Sequence, residues 1–97
     1  MNVLWTPEAR ADRDAIWNTV AEDSPKTAAR LDGLFHDAAR RLELFPDSGR
    51  PASTPGTREL IPHKHYRLVY EIHENVVWIL ALVHTSRLWP PVLPHPE

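Results

Sequence analysis

The chain contains no cysteine, which excludes a disulfide framework and any zinc site built from thiolates. Its three glycines cannot form a glycine-rich phosphate-binding loop. The longest apolar run, residues 76–83, is far shorter than the ~20 residues of a membrane-spanning helix. We therefore expect one cytoplasmic domain over residues 1–97, with no metal, no cofactor and no membrane partner.

Positive charge is also scarce. The chain has 11 lysines and arginines against 13 acidic residues, so no overall positive field attracts nucleic acid. Residues 1–49 hold six basic and nine acidic residues, a net charge of -3, whereas residues 50–97 hold five and four, a net charge of +1. Any surface that faces an anion is therefore predicted in the second half.

The first half predicts a strand over residues 2–5 and then two helices. Thr6-Pro7 and Ser24-Pro25 each pair a capping residue with a proline at the first helical position. Apolar residues then recur at steps of three and four, as on an amphipathic helix. The two-residue link Glu22-Asp23 predicts that the helices are antiparallel, and Pro46 ends the second one.

The second half predicts a loop and three antiparallel strands. The loop, residues 46–56, has three prolines and two glycines, which leave no room for regular structure. The strands are predicted at 57–61, 65–73 and 76–84. The expected fold class is α+β: an N-terminal strand and an antiparallel helical hairpin packed on a small twisted antiparallel sheet, in the order β-α-α-β-β-β. The first strand lies at an edge or beside the last, and a proline-rich tail from about residue 88 to 97 is extended.

Five motifs in this order resemble the RelE/ParE family of type II toxin–antitoxin toxins. They are Trp5–Ala9, Leu44–Pro51, Gly56–Leu60, Tyr66–Ile72 and Val83–Arg87. The resemblance covers residues 3–89. It implies a compact toxin neutralised by a co-expressed antitoxin, which wraps it with a helix and extended segments, and operator DNA is then expected to be bound only through the antitoxin.

The resemblance implies two possible activities. RelE-like members cut messenger RNA in the ribosome, and ParE-like members inhibit DNA gyrase. The loop after the second helix and the ending Val83–Arg87 look more ParE-like, and residues 50–55 lack the lysines of RelE-like nucleases. A gyrase inhibitor that acts by binding is therefore the leading prediction. A ribosome-dependent endoribonuclease and an inactive member that only binds an antitoxin are the alternatives.

Arg67 is the first candidate residue, because it matches the arginine that holds phosphate in RelE-like nucleases. The alternative is an ion pair with a nearby carboxylate such as Glu71. If Glu74-Asn75 is a two-residue turn, His65 and His84 lie opposite each other and share a face with Arg67. They could then do acid–base work on a ribose hydroxyl. A one-residue shift would destroy this arrangement, and His84 could instead cap the strand end through a hydrogen bond.

Three further residues are candidates for contacts with a target or the antitoxin. Arg58 and Arg87 lie in the family motifs, and Trp89 lies in the tail, where it either packs back on the domain or contacts a partner. The pair His63 and His65 is geometrically able to bind a metal, but we interpret it as a solvated turn because no cysteine or carboxylate cluster accompanies it.

Overall fold

A computed structural model describes residues 1–91 of the chain. Its elements are β1 (Asn2–Trp5), α1 (Pro7–Asp23), α2 (Pro25–Leu44), β2 (Arg50–Pro51), β3 (Arg58–His63), β4 (Tyr66–His73) and β5 (Val76–His84). The strands form one sheet in the order β1-β5-β4-β3-β2, and the two helices pack on one of its faces. The predicted α+β class is confirmed.

Two details of the sheet differ from the prediction. β1 lies at an edge beside β5, as expected, but it is parallel to β5, so the sheet is mixed. The prediction of a loop without regular structure at 46–56 is wrong, because Arg50 and Pro51 pair with Glu59 and Arg58. Pro51 is tolerated because β2 is an edge strand, which needs no amide donor on its outer side. Of the predicted tail, residues 88–91 form no helix or strand, and residues 92–97 lie outside the described residues.

Both helices begin as their sequences predict. The hydroxyl of Thr6 accepts from the amide of Ala9 at 3.1 Å, and that of Ser24 accepts from Thr27 at 3.2 Å. Ser24 also ends α1, because its own amide donates to the Val20 carbonyl. The link between the helices is therefore Ser24 alone, and the predicted link Glu22-Asp23 belongs to α1. Among the described residues, no helix is both long enough and apolar enough to cross a membrane.

The core lies between α2 and the sheet. Phe35 and Leu42 of α2 meet Leu68, Tyr70 and Ile79 of the central strands, and each of these side chains is at most 1% exposed. Burying a side chain of this size contributes roughly 1.5–3 kcal/mol. This layer fixes the helix-facing side of the sheet.

The hydroxyl of Tyr70 fixes the loop that follows α2. It donates to the carbonyl of Pro46 at 2.7 Å and accepts from the amide of Gly49 at 2.9 Å. A Cβ at Gly49 would lie 2.6 Å from that hydroxyl and 2.8 Å from the carbonyl oxygen of Glu59. Glycine is therefore required at position 49, because no side chain fits between the Tyr70 hydroxyl and the Glu59 carbonyl. This close approach places β2 alongside β3.

The register between β4 and β5 changes part-way along. The turn at Glu74 and Asn75, both with positive φ, pairs His73 with Val76 as predicted. Leu80 is then an extra residue on β5, because Tyr70 pairs with Ile79 and Val69 with Ala81. Because of this bulge, every β5 residue after Leu80 lies on the opposite face of the sheet from the one that a regular pairing would give it.

The bulge decides where His84 lies. His84 pairs with Tyr66 on the face that carries the helices, whereas Arg67 pairs with Val83 on the other face. The predicted pairing of His65 with His84, and the predicted face shared with Arg67, are therefore wrong. His65 itself lies in the turn before β4.

Candidate functional site

Arg67 lies in a row of charges on the sheet face that points away from the helices. Its Nη1 is 3.3 Å from Oε2 of Glu59, and Oε1 of Glu59 accepts from Nε of Arg50 at 2.9 Å. The side chains of Glu59 and Arg67 are 8% and 15% exposed. Arg67 therefore pairs with a carboxylate, as one alternative predicted, but the partner is Glu59 on β3 and not Glu71.

The chain after β5 closes over this row. Nη2 of Arg67 donates to the carbonyl of Arg87, and the hydroxyl of Ser53 donates to the carbonyl of Trp89 at 3.1 Å. The tail and the loop before β3 are thus tied to each other beside Arg67. Within the described residues, the buried Nε of Arg67 forms no hydrogen bond. Two of the three guanidinium nitrogens, Nη1 and Nη2, therefore have partners within the protein.

Imidazole rings cluster at the end of the sheet where β4 begins and β5 finishes. The ring centroids of His63 and His65 are 5.4 Å apart, and those of His65 and His84 are 5.5 Å apart, with the latter rings stacked. Thr85 holds the two turns together by donating to the carbonyls of His65 and Lys64. The structure therefore brings His65 and His84 together through the two turns and not by cross-strand pairing.

The hydrogen bonds of these histidines restrict their chemistry. Nδ1 of His63 accepts from the amide of His65, and Nδ1 of His84 accepts from the amide of Ser86, both at 3.1 Å. Both contacts match the neutral tautomer that carries its proton on Nε2. A metal bound at Nε2 would move that proton onto Nδ1, against a backbone donor. The contact with Ser86 is the strand-end hydrogen bond that the alternative for His84 predicted.

His65 has an altered acidity. Partial desolvation by its neighbours lowers the pKa of His65, and the charges of Lys64, His63 and His84 lower it further. Among residues 1–91, no group of three or more histidine, cysteine, aspartate or glutamate side chains is arranged to hold a metal ion. The histidine cluster therefore forms a partly exposed surface of basic and aromatic groups.

A groove of about 440 Å³ lies between α1 and the end of β5. Asp12 and Ile16 of α1 form one wall, and Tyr66, His84 and Arg87 form the other. Asp12 accepts from the amide of Leu82 at 3.1 Å, and its burial raises the pKa of its carboxyl group. Arg87 thus lines this groove, and its carbonyl oxygen accepts from Arg67.

The remaining predicted contact residues are engaged within the domain. Nη1 of Arg58 donates to the carbonyl of Gly49 at 2.8 Å, so its side chain supports the loop after α2. Trp89 is half-buried and its carbonyl accepts from Ser53, so the tail packs back on the domain. Sequence reasoning missed Glu59, because its partners lie nine residues before it and eight after it, where no helical or strand periodicity connects them.

Comparison with known proteins identifies the family. The sequence model of the family described as "ParE toxin of type II toxin-antitoxin system, parDE" matches residues 3–89. The chain belongs to this family. It is similar to the "Putative toxin Y4kP" of Sinorhizobium fredii, at 35% identity over 92 residues that cover 94% of this chain and 95% of that protein. It is similar to the "Toxin RelE2" of Caulobacter vibrioides, at 35% identity over 86 residues that cover 89% and 97%.

Solved structures of related toxins share the fold. The "Chromosomal ParDE TA system from P. aeruginosa" superposes with a TM-score of 0.76 and 25% identity, over 87% of this chain and 95% of that one. The "YoeB/ParE toxin from Agrobacterium tumefaciens" superposes with a TM-score of 0.67 and 18% identity, over 87% and 98%, which shows the fold alone. The suspected membership of the RelE/ParE toxins is therefore confirmed, and the names of the relatives include both branches.

Proposed function

We propose that this ParE-family toxin arrests growth by binding DNA gyrase, and that a cognate antitoxin keeps it inactive until it is released. The family match over residues 3–89 supports the toxin and antitoxin roles. The ParE-like motifs support the choice of gyrase. Operator DNA is bound through the antitoxin, and the toxin acts in the cytoplasm, where gyrase is found.

The state of Arg67 is the observation that favours binding over RNA cleavage. A nuclease of the RelE type needs an arginine free to hold phosphate and an acid–base group beside it. In this chain the two terminal guanidinium nitrogens of Arg67 donate to Glu59 and to the carbonyl of Arg87. His84 lies on the opposite face of the sheet. The two groups that the nuclease alternative requires are therefore kept apart.

The test measures both activities of the purified chain. We expect gyrase to lose negative supercoiling activity as toxin is added, and ribosome-bound messenger RNA to remain intact. Addition of the antitoxin encoded with the toxin should restore supercoiling. Unchanged supercoiling at saturating toxin would show that gyrase is not the target.

The same assay separates the alternatives. Transcript cleavage with normal supercoiling would support the endoribonuclease, and Arg67→Ala should then abolish cleavage, whereas Arg10→Ala, at an exposed position on α1, should not. A chain that affects neither process, causes no growth defect and still binds the antitoxin would be an inactive member of the family.

A further inference from the structure

α2 carries a second row of side chains that its own domain leaves largely uncovered. Leu34, Asp37, Arg41 and Leu44 follow one another at steps of three, four and three, which is the spacing of the a and d positions in a coiled coil. We call these four residues the α2 seam. Leu44 is 74% exposed, Asp37 and Arg41 are exposed, and Leu34 is half-buried.

The seam borders an apolar groove of about 600 Å³ between α2 and β3. Phe45 and Ile61 also line this groove, and they are 60% and 43% exposed. Adjacent large apolar side chains at such exposures are characteristic of surfaces that bind another protein. The groove is separate from the row of charges around Arg67 and from the groove beside His84.

The order of the seam is complementary to itself when a second copy is antiparallel. In an antiparallel helix pair, an a position of one helix faces a d position of the other. If Leu34 faces Leu44 of a second copy, Asp37 must face Arg41 of that copy, because both pairs are centred on position 39. The contact then has two apolar layers at its ends and two ion pairs between them.

We propose that two copies of this chain associate through antiparallel α2 helices related by a two-fold axis near position 39. The interface is isologous: each copy contributes the same seam, and the charges of Asp37 and Arg41 are balanced within it. The seam therefore needs no partner of opposite charge. This association is independent of the choice between gyrase and ribosome as the target.

Exchange of the seam charges provides the test. The full-length toxin is refolded after removal of its antitoxin and studied by sedimentation equilibrium. Its average molecular mass should rise with concentration from 11.1 kDa towards twice that value. Asp37→Arg alone and Arg41→Asp alone should each raise the dimer dissociation constant at least about tenfold, because each places like charges opposite each other. The double variant D37R/R41D should restore dimerisation, and Asp14→Arg on α1 should leave it unchanged.

Cysteine substitutions test the direction of the helices against a background without native cysteine. The variant L34C/L44C should form a covalent dimer with a short thiol-reactive cross-linker. L34C or L44C alone should not, because identical positions in the two copies are offset by ten residues, about 15 Å along the helix. Cross-linking of either single variant would contradict the antiparallel arrangement.

Two results would overturn the proposal. The first is a folded chain that remains monomeric at all concentrations, or a double variant that does not recover the dimerisation lost in the single variants. The second is a loss of antitoxin binding by the single variants with no change in toxin mass, which would assign the seam to the antitoxin. Circular dichroism of each variant distinguishes these outcomes from misfolding.

Discussion

The two faces of the sheet are covered by different kinds of contact. On the helix side, Phe35, Leu42 and Tyr70 belong to a continuous apolar layer, and each of these three residues is at most 1% exposed. On the other side, the buried Glu59 and the partly buried Arg67 lie beside a short loop and the tail, which are held by individual hydrogen bonds. The first face is held mainly by non-directional packing, whereas the second also depends on specific polar partners.

This difference determines how each face responds to mutation. Apolar stabilisation grows with buried area, so the helix side should lose stability in proportion to the atoms removed. A buried ion pair adds little net stability while it is intact, but removal of one partner is costly because the other remains buried and unpaired. The second face should therefore be sensitive at a few positions and tolerant elsewhere.

Phe35→Ala should have the largest effect, because it opens a cavity in the apolar layer. We expect a loss of about 3–5 kcal/mol in the free energy of unfolding, measured by urea denaturation. Leu88→Ala, at a side chain that is 69% exposed, is the control and should change stability by less than about 0.5 kcal/mol. Equal losses in the two variants would mean that packing on the helix side does not dominate stability.

Glu59→Gln tests the other face. The substitution keeps the size of the side chain but removes the charge that balances Arg67, so we expect a loss of about 2–3 kcal/mol in the free energy of unfolding. Glu71→Gln on β4 is a matched control, since Glu71 forms no ion pair within residues 1–91. If the two variants are equally stable, the row of charges does not hold this face.

Tyr70→Phe separates packing from hydrogen bonding at one residue. The ring remains in the apolar layer, but the carbonyl of Pro46 and the amide of Gly49 lose their partner. We expect a loss of about 1–2 kcal/mol in the free energy of unfolding, together with faster amide exchange at Gly49. Tyr66→Phe, on the same face of β4, is the control, and unchanged exchange at Gly49 would contradict the assignment.

Asp32→Asn should have the smallest effect. The side chain of Arg13 donates to both carboxylate oxygens of Asp32, at 2.6 and 2.9 Å, and this hydrogen bonding lowers the pKa of Asp32 below its usual 3.8. The folded state therefore favours the ionised form, and the stabilisation is complete above pH 3.8 and disappears as the pH falls through the pKa of the folded state.

Because the pair is partly exposed, we expect Asp32→Asn to lose at most about 1 kcal/mol at pH 7. Urea denaturation across the acid range should show that the difference between the variant and the original chain narrows below pH 3.8. Asp14→Asn on the exposed side of α1 should show no such narrowing. A difference that grows on acidification would contradict the role given to Arg13.

The predictable part of the fold is encoded in neighbouring residues. Thr6-Pro7 and Ser24-Pro25 mark both helix starts, and Pro46 follows the end of α2. The turn at Glu74-Asn75 gives the correct pairing at the start of β5. The parallel pairing of β1 with β5 could not be predicted from neighbouring residues, because it depends on where β5 lies once the helices and the other strands are in place.

The candidate site was less predictable for the same reason. A single extra residue, Leu80, reverses the face of His84, and no feature of a near-continuous apolar strand marks the position of a bulge. The partners of Arg67 lie on β3 and in the tail, so they are known only once the sheet is assembled. The sequence singled out Arg67 as a candidate but did not indicate which groups in the fold it contacts.

The contact between Asp12 and Leu82 has a consequence for solubility. β1 covers β5 only as far as Ile79, so the remainder of that edge could pair with a strand of another molecule and start aggregation. The carboxylate of Asp12 occupies the amide of Leu82 and places a charge in the path of an incoming strand. At the opposite edge, Pro51 has no amide to donate. A side chain from a helix and a proline thus help keep the sheet from extending into a fibre.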